Sequence, residues 1–188
     1  MALSFYNLDY IIEINQRRLE EYNASLQLVL GRLTNIILIY SGLGIFLVTF
    51  IQHAIDGDLG TISFYFVFSV FAILLILSLY YFIRLLLPEE IAYLDPPEKY
   101  YKDYMAQMEL DYPGQQDVVD KALKGSYILE LEDSISTNYQ VFRRKSSFYY
   151  NALLFALLAV IPYITYLGYH LSKKDDKIQK VEIVAKKA

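Results

Sequence analysis

The sequence contains no cysteine and no tryptophan, and it has only two histidines among its 188 residues. The absence of cysteine excludes disulfide bonds, thiolate metal sites and a cysteine nucleophile. The sequence also lacks a Gly-rich phosphate loop and the GxSxG, HExxH and CxxC motifs, which argues against a conventional hydrolase or kinase. We therefore expect a non-enzymatic protein without a cofactor or a bound metal ion.

Charge of either sign is scarce. Seventeen Lys and Arg stand against 21 Asp and Glu, for a net charge of −4 and a pI of about 5.2, which argues against nonspecific nucleic-acid binding. Hydrophobic residues make up 55% of the chain, and the mean hydropathy is +0.28. The apolar residues are concentrated in blocks, as is typical of a chain whose solvent is a bilayer. We expect no signal peptide, because Asp9 and Glu13 interrupt the first apolar run.

Three long apolar blocks predict three transmembrane helices. They are Thr34–Ala54, Thr61–Leu87 and Ser147–Ser172, and Arg84 is the only Lys, Arg, Asp or Glu within them. Each block exceeds the roughly 20 residues that cross a bilayer as a helix. Pro162 lies in the third block, where it would kink the helix or make the segment re-entrant.

The distribution of Lys and Arg predicts the orientation. With a cytoplasmic N-terminus, eleven of the 17 basic residues would lie inside and the six of the tail outside. The positive-inside rule therefore favours a multi-pass protein of a prokaryotic cytoplasmic membrane with its N-terminus inside. A re-entrant third segment would instead return the tail to the cytoplasm.

Apolar stripes at alternating spacings of three and four precede the first and third blocks. We expect one helix from about Leu8 to Ala54, with Gly31 as its weak point at a cost of about 1 kcal/mol relative to alanine. A second helix would lead into the third block and lie parallel to the first. The stripes are consistent with helices that pack on one another within one chain, or with helices that also mediate oligomerisation. The stripe residues are Leu19, Tyr22, Leu26, Val29, Leu33, Ile36 and Tyr40, then Ile128, Leu131, Ile135, Tyr139 and Phe142.

The predicted fold is thus an all-α membrane protein in which the first and third transmembrane helices have long cytosolic extensions. Between the stalks, Pro88 ends the second helix, Pro96-Pro97 form a stiff break, and a short helix is expected at Glu98–Leu110 before the turn at Pro113-Gly114. The expected parts are a cytosolic helix at 1–33, a transmembrane hairpin at 34–87, a cytosolic helical region at 88–146, a third span at 147–172 and a charged tail at 173–188.

Two groups of residues suggest contacts within or beside the membrane. Small residues in Ser41-Gly42-Leu43-Gly44 predict close helix packing or, alternatively, a gate, and Asn151 and Pro162 are assigned to the same role. The basic run Arg143-Arg144-Lys145 is placed to contact anionic lipid headgroups.

A third group is formed by the two histidines and two nearby acids. His53, Asp56, Asp58 and His170 are expected at the outer membrane boundary. They would form either a metal or proton site, or interfacial groups beside a solvated turn.

The segments RLEEYNASLQLVLGRLTNIILIYSGLGIF and YILELEDSISTNYQVFRRKSSFYYNALL each join a charged helix directly to a span. This layout resembles small prokaryotic membrane effectors of anti-phage systems, namely SLATT-domain proteins and the transmembrane effectors of cyclic-nucleotide signalling. The third span departs from the simple two-span pattern. The resemblance implies oligomerisation and membrane disruption upon activation, with a cytosolic protein or nucleotide signal as partner, and it assigns no ligand residue.

The expected function is that of an oligomeric effector or channel-like protein that alters membrane permeability. Its expected partners are the lipid bilayer and further copies of itself. The alternative is a non-catalytic membrane scaffold that recruits a protein partner through residues 88–146.

Overall fold

The structure is entirely helical in its regular elements over the residues that it describes. This computed structural model describes residues 7–55 and 62–185, and of residues 53–55 and 169–185 it describes the backbone alone. The elements are α1 (Leu8–Gly31), α2 (Leu33–Ile55), α3 (Ile62–Leu86), a π-helix (Lys99–Tyr104), α4 (Met105–Asp111) and α5 (Gln116–Ala185). The prediction of an all-α fold is confirmed.

The first helix is interrupted where the sequence predicted its weak point. α1 ends at Gly31, Arg32 forms a turn, and α2 begins at Leu33. Glycine in a helix interior costs about 1 kcal/mol relative to alanine, because its backbone loses more freedom on folding. In contrast, α5 continues through Pro162, so the described backbone has no re-entrant turn at the proline.

The chain divides into two compact units. The first contains α1 and residues Pro88–Ser146, and the second contains Arg32–Leu87 and α5 from Ser147 onward. α5 therefore contributes its first half to one unit and its second half to the other.

In the first unit, α1 and α5 run parallel. The contacting pairs rise in residue number along both helices. They are Asp9 with Lys124 at 2.9 Å, Gln16 with Tyr127 at 2.9 Å, and Asn23 with Asn138 at 3.2 Å. The apolar stripe predicted for α1 is buried at Leu19, Leu26 and Val29. Burial of this stripe against α5 supplies the hydrophobic free energy that holds the pair together.

The stripe predicted for α5 is displaced by one residue over part of its length. Its most buried positions are Ile128, Leu131, Ser134, Asn138, Val141 and Lys145. Ile128 and Leu131 were predicted, but Tyr139 is 42% exposed although its ring lies 5.4 Å from that of Tyr22 on α1. The displacement of the stripe has a physical cause. A second segment packs on α5 beside α1, and the α5 residues that lie between the two segments are the most deeply buried.

The second unit is a three-helix bundle. α2 and α5 run parallel. Tyr40 of α2 and Ala152 of α5 both contact Ser78, and farther along both helices Phe46 of α2 stacks on Tyr163 of α5 at 3.9 Å. α3 runs antiparallel to both, since its Ser78 contacts Tyr40 and Ala152 whereas its Phe64 contacts Phe50 and Tyr166. The core is filled by aromatic side chains, with Phe50 and Phe71 fully buried.

Close helix approach in this bundle occurs at alanines of α5. Ala152, Ala156 and Ala159 are 0% exposed, and their spacing of four and three places them on one face. A Cβ added at Gly42 or Gly44 would meet nothing within 4 Å inside the single chain, and close helix packing at these glycines stays a prediction.

Among the described residues, three helical stretches are long and apolar enough to cross a membrane: Leu8–Gln52, Ile62–Leu86 and Gln116–Gly168. Only 17–22% of the residues in their most apolar windows are buried inside the chain. Large side chains such as Leu38, Phe66 and Ile164 face outward with 60–70% exposure. Such surfaces are consistent with a multi-pass membrane protein, because water disfavours exposed apolar area on this scale.

Candidate functional site

The segment Pro88–Pro96, here called the connector, lies along α5 in the first unit. Three of its residues, each three positions after the last, contact α5. Their contacts lie progressively closer to the N-terminus of that helix. Glu89 lies against Arg144 and Lys145, Ala92 against Asn138, and Asp95 against Glu130. The connector therefore runs antiparallel to α5.

The connector has no regular secondary structure. Its peptide groups therefore have no helical partners of their own.

Asn138 supplies the partners that the middle of the connector lacks. Its Oδ1 accepts a hydrogen bond from the Ala92 N–H at 2.9 Å, and its Nδ2 donates to the Ala92 carbonyl at 3.2 Å. Nδ2 also donates to Oδ1 of Asn23 on α1 at 3.2 Å. The side chain is 1% exposed, so one buried amide joins the connector, α5 and α1. Unsatisfied peptide groups at this depth would be costly.

Glu89 is held by two cations of α5. Its carboxylate lies 2.8 Å from the Arg144 guanidinium and 3.6 Å from the Lys145 ammonium. Lys145 is only 4% exposed. The Lys145 ammonium thus lies against Glu89, whereas Arg143 is exposed. The expected contact of Arg143-Arg144-Lys145 with lipid stays a prediction.

At the other end of the connector, Glu130 joins it to the π-helix. Its Oε1 accepts from the Asp95 N–H at 2.5 Å, and its Oε2 accepts from the Tyr100 hydroxyl. Tyr100 also packs edge-on against Tyr127 of α5 at 5.1 Å. Both oxygens of Glu130 thus accept hydrogen bonds, and the carboxylate ties the connector and the π-helix to α5.

Lys99 completes this end of the site. Its Nζ donates to Oδ2 of Asp95 at 2.6 Å and lies 5.5 Å from the ring centroid of Tyr104. The hydrogen bond to the Asp95 carboxylate raises the pKa of the lysine above its ordinary value, and the Tyr104 oxygen adds to the effect. Lys99 is therefore charged at neutral pH. π-Helical turns of this kind are rare and occur often at functional sites.

These contacts define the anchoring face of α5, which consists of Glu130, Asn138, Arg144 and Lys145. Comparison with family models, curated proteins and solved structures gives no match. The anchoring face binds the connector through ion pairs and hydrogen bonds. Its role in the structure is therefore to hold this segment in position.

A comparable polar contact lies in the second unit. The Ser78 hydroxyl is fully buried and donates to the Ala152 carbonyl at 2.6 Å, while the Tyr40 hydroxyl lies 2.7 Å from Oγ of Ser78. A buried hydroxyl that bridges three helices fixes their relative rotation.

The other predicted site residues are spread over the chain. Ser41 is exposed and donates to the Ile37 carbonyl at 3.0 Å, and Asn151 and Pro162 are half-buried on α5. Asp56 and Asp58 lie outside the described residues, and the side chains of His53 and His170 are likewise not described. Within the part of the chain that the structure describes, no group of three or more His, Asp or Glu is arranged to hold a metal ion.

Sequence reasoning missed Ser78, Glu130 and Asn138. The available signal for Asn138 was its place in the seam, seven residues after Leu131 and seven before Lys145. A polar residue at a seam position that remains buried needs a partner, and the neighbouring connector is where that partner lies.

Proposed function

We propose that this chain is an oligomeric effector that alters the permeability of a prokaryotic cytoplasmic membrane, within the anti-phage context that its layout resemblance implies. The observation that supports the proposal most directly is the outer face of α2. Ser41, Gly44, Val48 and Gln52 are exposed there at spacings of three and four. Three of these four residues, Ser41, Gly44 and Gln52, are small or polar, and such residues on the outer face of an apolar helix favour close contact with another transmembrane helix.

The interior of the second unit explains why several copies would be required. Phe50 contacts the rings of Phe64, Phe71 and Tyr166 at 4.8–6.0 Å, and Phe46 stacks on Tyr163. This packing fills the centre of one bundle with apolar side chains. A route for ions would then form between copies, along faces such as that of α2.

The α2 face gives a direct test of the effector proposal. Replacing Gly44 with leucine places the side chain in open space within one chain, so the fold should persist. We expect the variant to lose the oligomer seen as native mass in detergent. Dye entry after induced expression should fall at least tenfold.

Gly168→Leu is the matched control, because an added side chain there also meets nothing within 4 Å. It should retain the oligomer and the dye entry of the unaltered chain. Equal dye entry from both variants, or none from the unaltered chain under activating conditions, would contradict the proposal.

The proposed orientation is tested separately by reporter fusions. The basic-residue count places residues 56–60 outside the cytoplasm and the segment near Tyr104 inside it. We expect a fusion after position 58 to activate a periplasmic reporter, and a fusion at 104 to activate a cytoplasmic one. Both fusions reporting the same side would exclude the three-span arrangement.

A second function, recruitment of a protein partner through residues 88–146, is favoured by the surface of α4. This helix buries none of its residues, whereas the anchoring face fixes the connector that precedes it. Crosslinking in native membranes should then give a heterologous partner joined to this region. A reproducible absence of such products would remove this candidate.

A further inference from the structure

The outer side of α4 combines an exposed apolar line with acidic neighbours. Ala106 and Leu110 are four residues apart, so they share one helical face, and Leu110 is 82% exposed. Glu109 and Asp111 flank this line, and Asp103 precedes it by one helical turn. All three acids are exposed. We call these five residues the α4 face.

The acids of the α4 face have no cation to neutralise them among the described residues. The lysines closest in sequence are occupied: Lys99 pairs with Asp95 at 2.6 Å, and Lys102 pairs with Glu98. Across residues 95–111 there are five acids and two lysines. The face is therefore a strongly negative surface that surrounds an exposed leucine.

Charge complementarity limits what can cover this face. Anionic lipid headgroups and nucleic acids carry the same sign of charge and would be repelled. A helix with lysines or arginines around an apolar stripe matches both features, because its cations meet three carboxylates while its stripe covers Leu110. We infer that the α4 face docks a basic amphipathic segment of another protein. The inference rests on the recruitment function proposed above and names the chemistry of the partner.

The test measures peptide binding to the full chain in neutral detergent micelles at physiological ionic strength. The probe is a fluorescent 14-residue helical peptide with two leucines four residues apart and six lysines. Its counterpart carries glutamates in place of the lysines. Empty micelles give the background that is common to every measurement. We expect the lysine peptide to bind at least tenfold more tightly than the glutamate peptide.

Two triple variants locate the binding. The first changes the α4 face by Glu109→Lys, Leu110→Ser and Asp111→Lys, and it should weaken binding of the lysine peptide at least tenfold. The second is a matched control on the exposed side of α5, where Leu129 is 68% exposed beside two exposed acids. Leu129→Ser, Glu132→Lys and Asp133→Lys should leave binding within twofold of the unaltered chain.

Three results would overturn the inference: equal weakening by both triple variants, equal binding of the two peptides, or a change of native mass in the α4 variant, which would identify a contact between copies. A chain that crosslinks to a partner yet ignores the lysine peptide would refute the stated chemistry while leaving recruitment intact. A chain without any crosslinked partner would refute recruitment itself.

Discussion

Asn138→Ala is expected to release the connector together with the π-helix that follows it, and to increase tryptic cleavage at Lys99 and Lys102 of that helix about 100-fold. The substitution removes both hydrogen bonds to Ala92 and the one to Asn23. It leaves the partly buried N–H and carbonyl of Ala92 without their partners, at about 1–3 kcal/mol for each group. A combined cost of about 3 kcal/mol corresponds to the 100-fold change when the opening equilibrates faster than cleavage.

The cleavage should be followed by mass spectrometry, so that the two sites are distinguished from other lysines and arginines. Gln140→Ala is the control, because Gln140 is an exposed amide on the same helix and surface changes of this kind cost within about 0.5 kcal/mol. Similar cleavage rates for the two variants would show that Asn138 does not hold the connector.

Ala156→Leu is expected to destabilise the second unit by about 3 kcal/mol. Ala156 is 0% exposed in the core that contains Phe50, Phe71 and Tyr166. Three additional carbons have no space there, so the helices must separate or the rings must leave their rotamers. Helix association within a membrane depends on close van der Waals packing, which makes such a separation costly.

Thermal loss of helical circular dichroism in one detergent measures this effect, as a lower melting temperature. Gly168→Leu again serves as the comparison, since it enlarges a position of the same helix that faces open space. If both variants melt at the same temperature, Ala156 is not a close-packed position.

The sequence alone predicted the features that depend on the length of the apolar blocks and on the helical periodicity of apolar residues. Three long blocks correspond to three helical stretches able to cross a membrane, and the α1 stripe is buried at Leu19, Leu26 and Val29. A short helix was expected at Glu98–Leu110, and the π-helix and α4 occupy Lys99–Asp111. These features follow from local chemistry, which a single sequence contains.

Features that depend on contacts between distant segments were not predictable in the same way. The stripe of α5 shifts to Ser134, Asn138 and Lys145 because the connector and α1 both cover that side, and no local pattern specifies this. Close packing at Ala156 rather than at Gly44 depends on which face of each helix turns inward. Small residues of either kind permit close approach, so composition alone does not choose between them.

The non-helical course of Pro88–Pro96 has a consequence for α5. The helix holds this segment at an acid, at a peptide group three residues later and at an N–H three residues beyond. All three contacts are made by side chains of α5, so the position of the segment depends on this stretch of the helix.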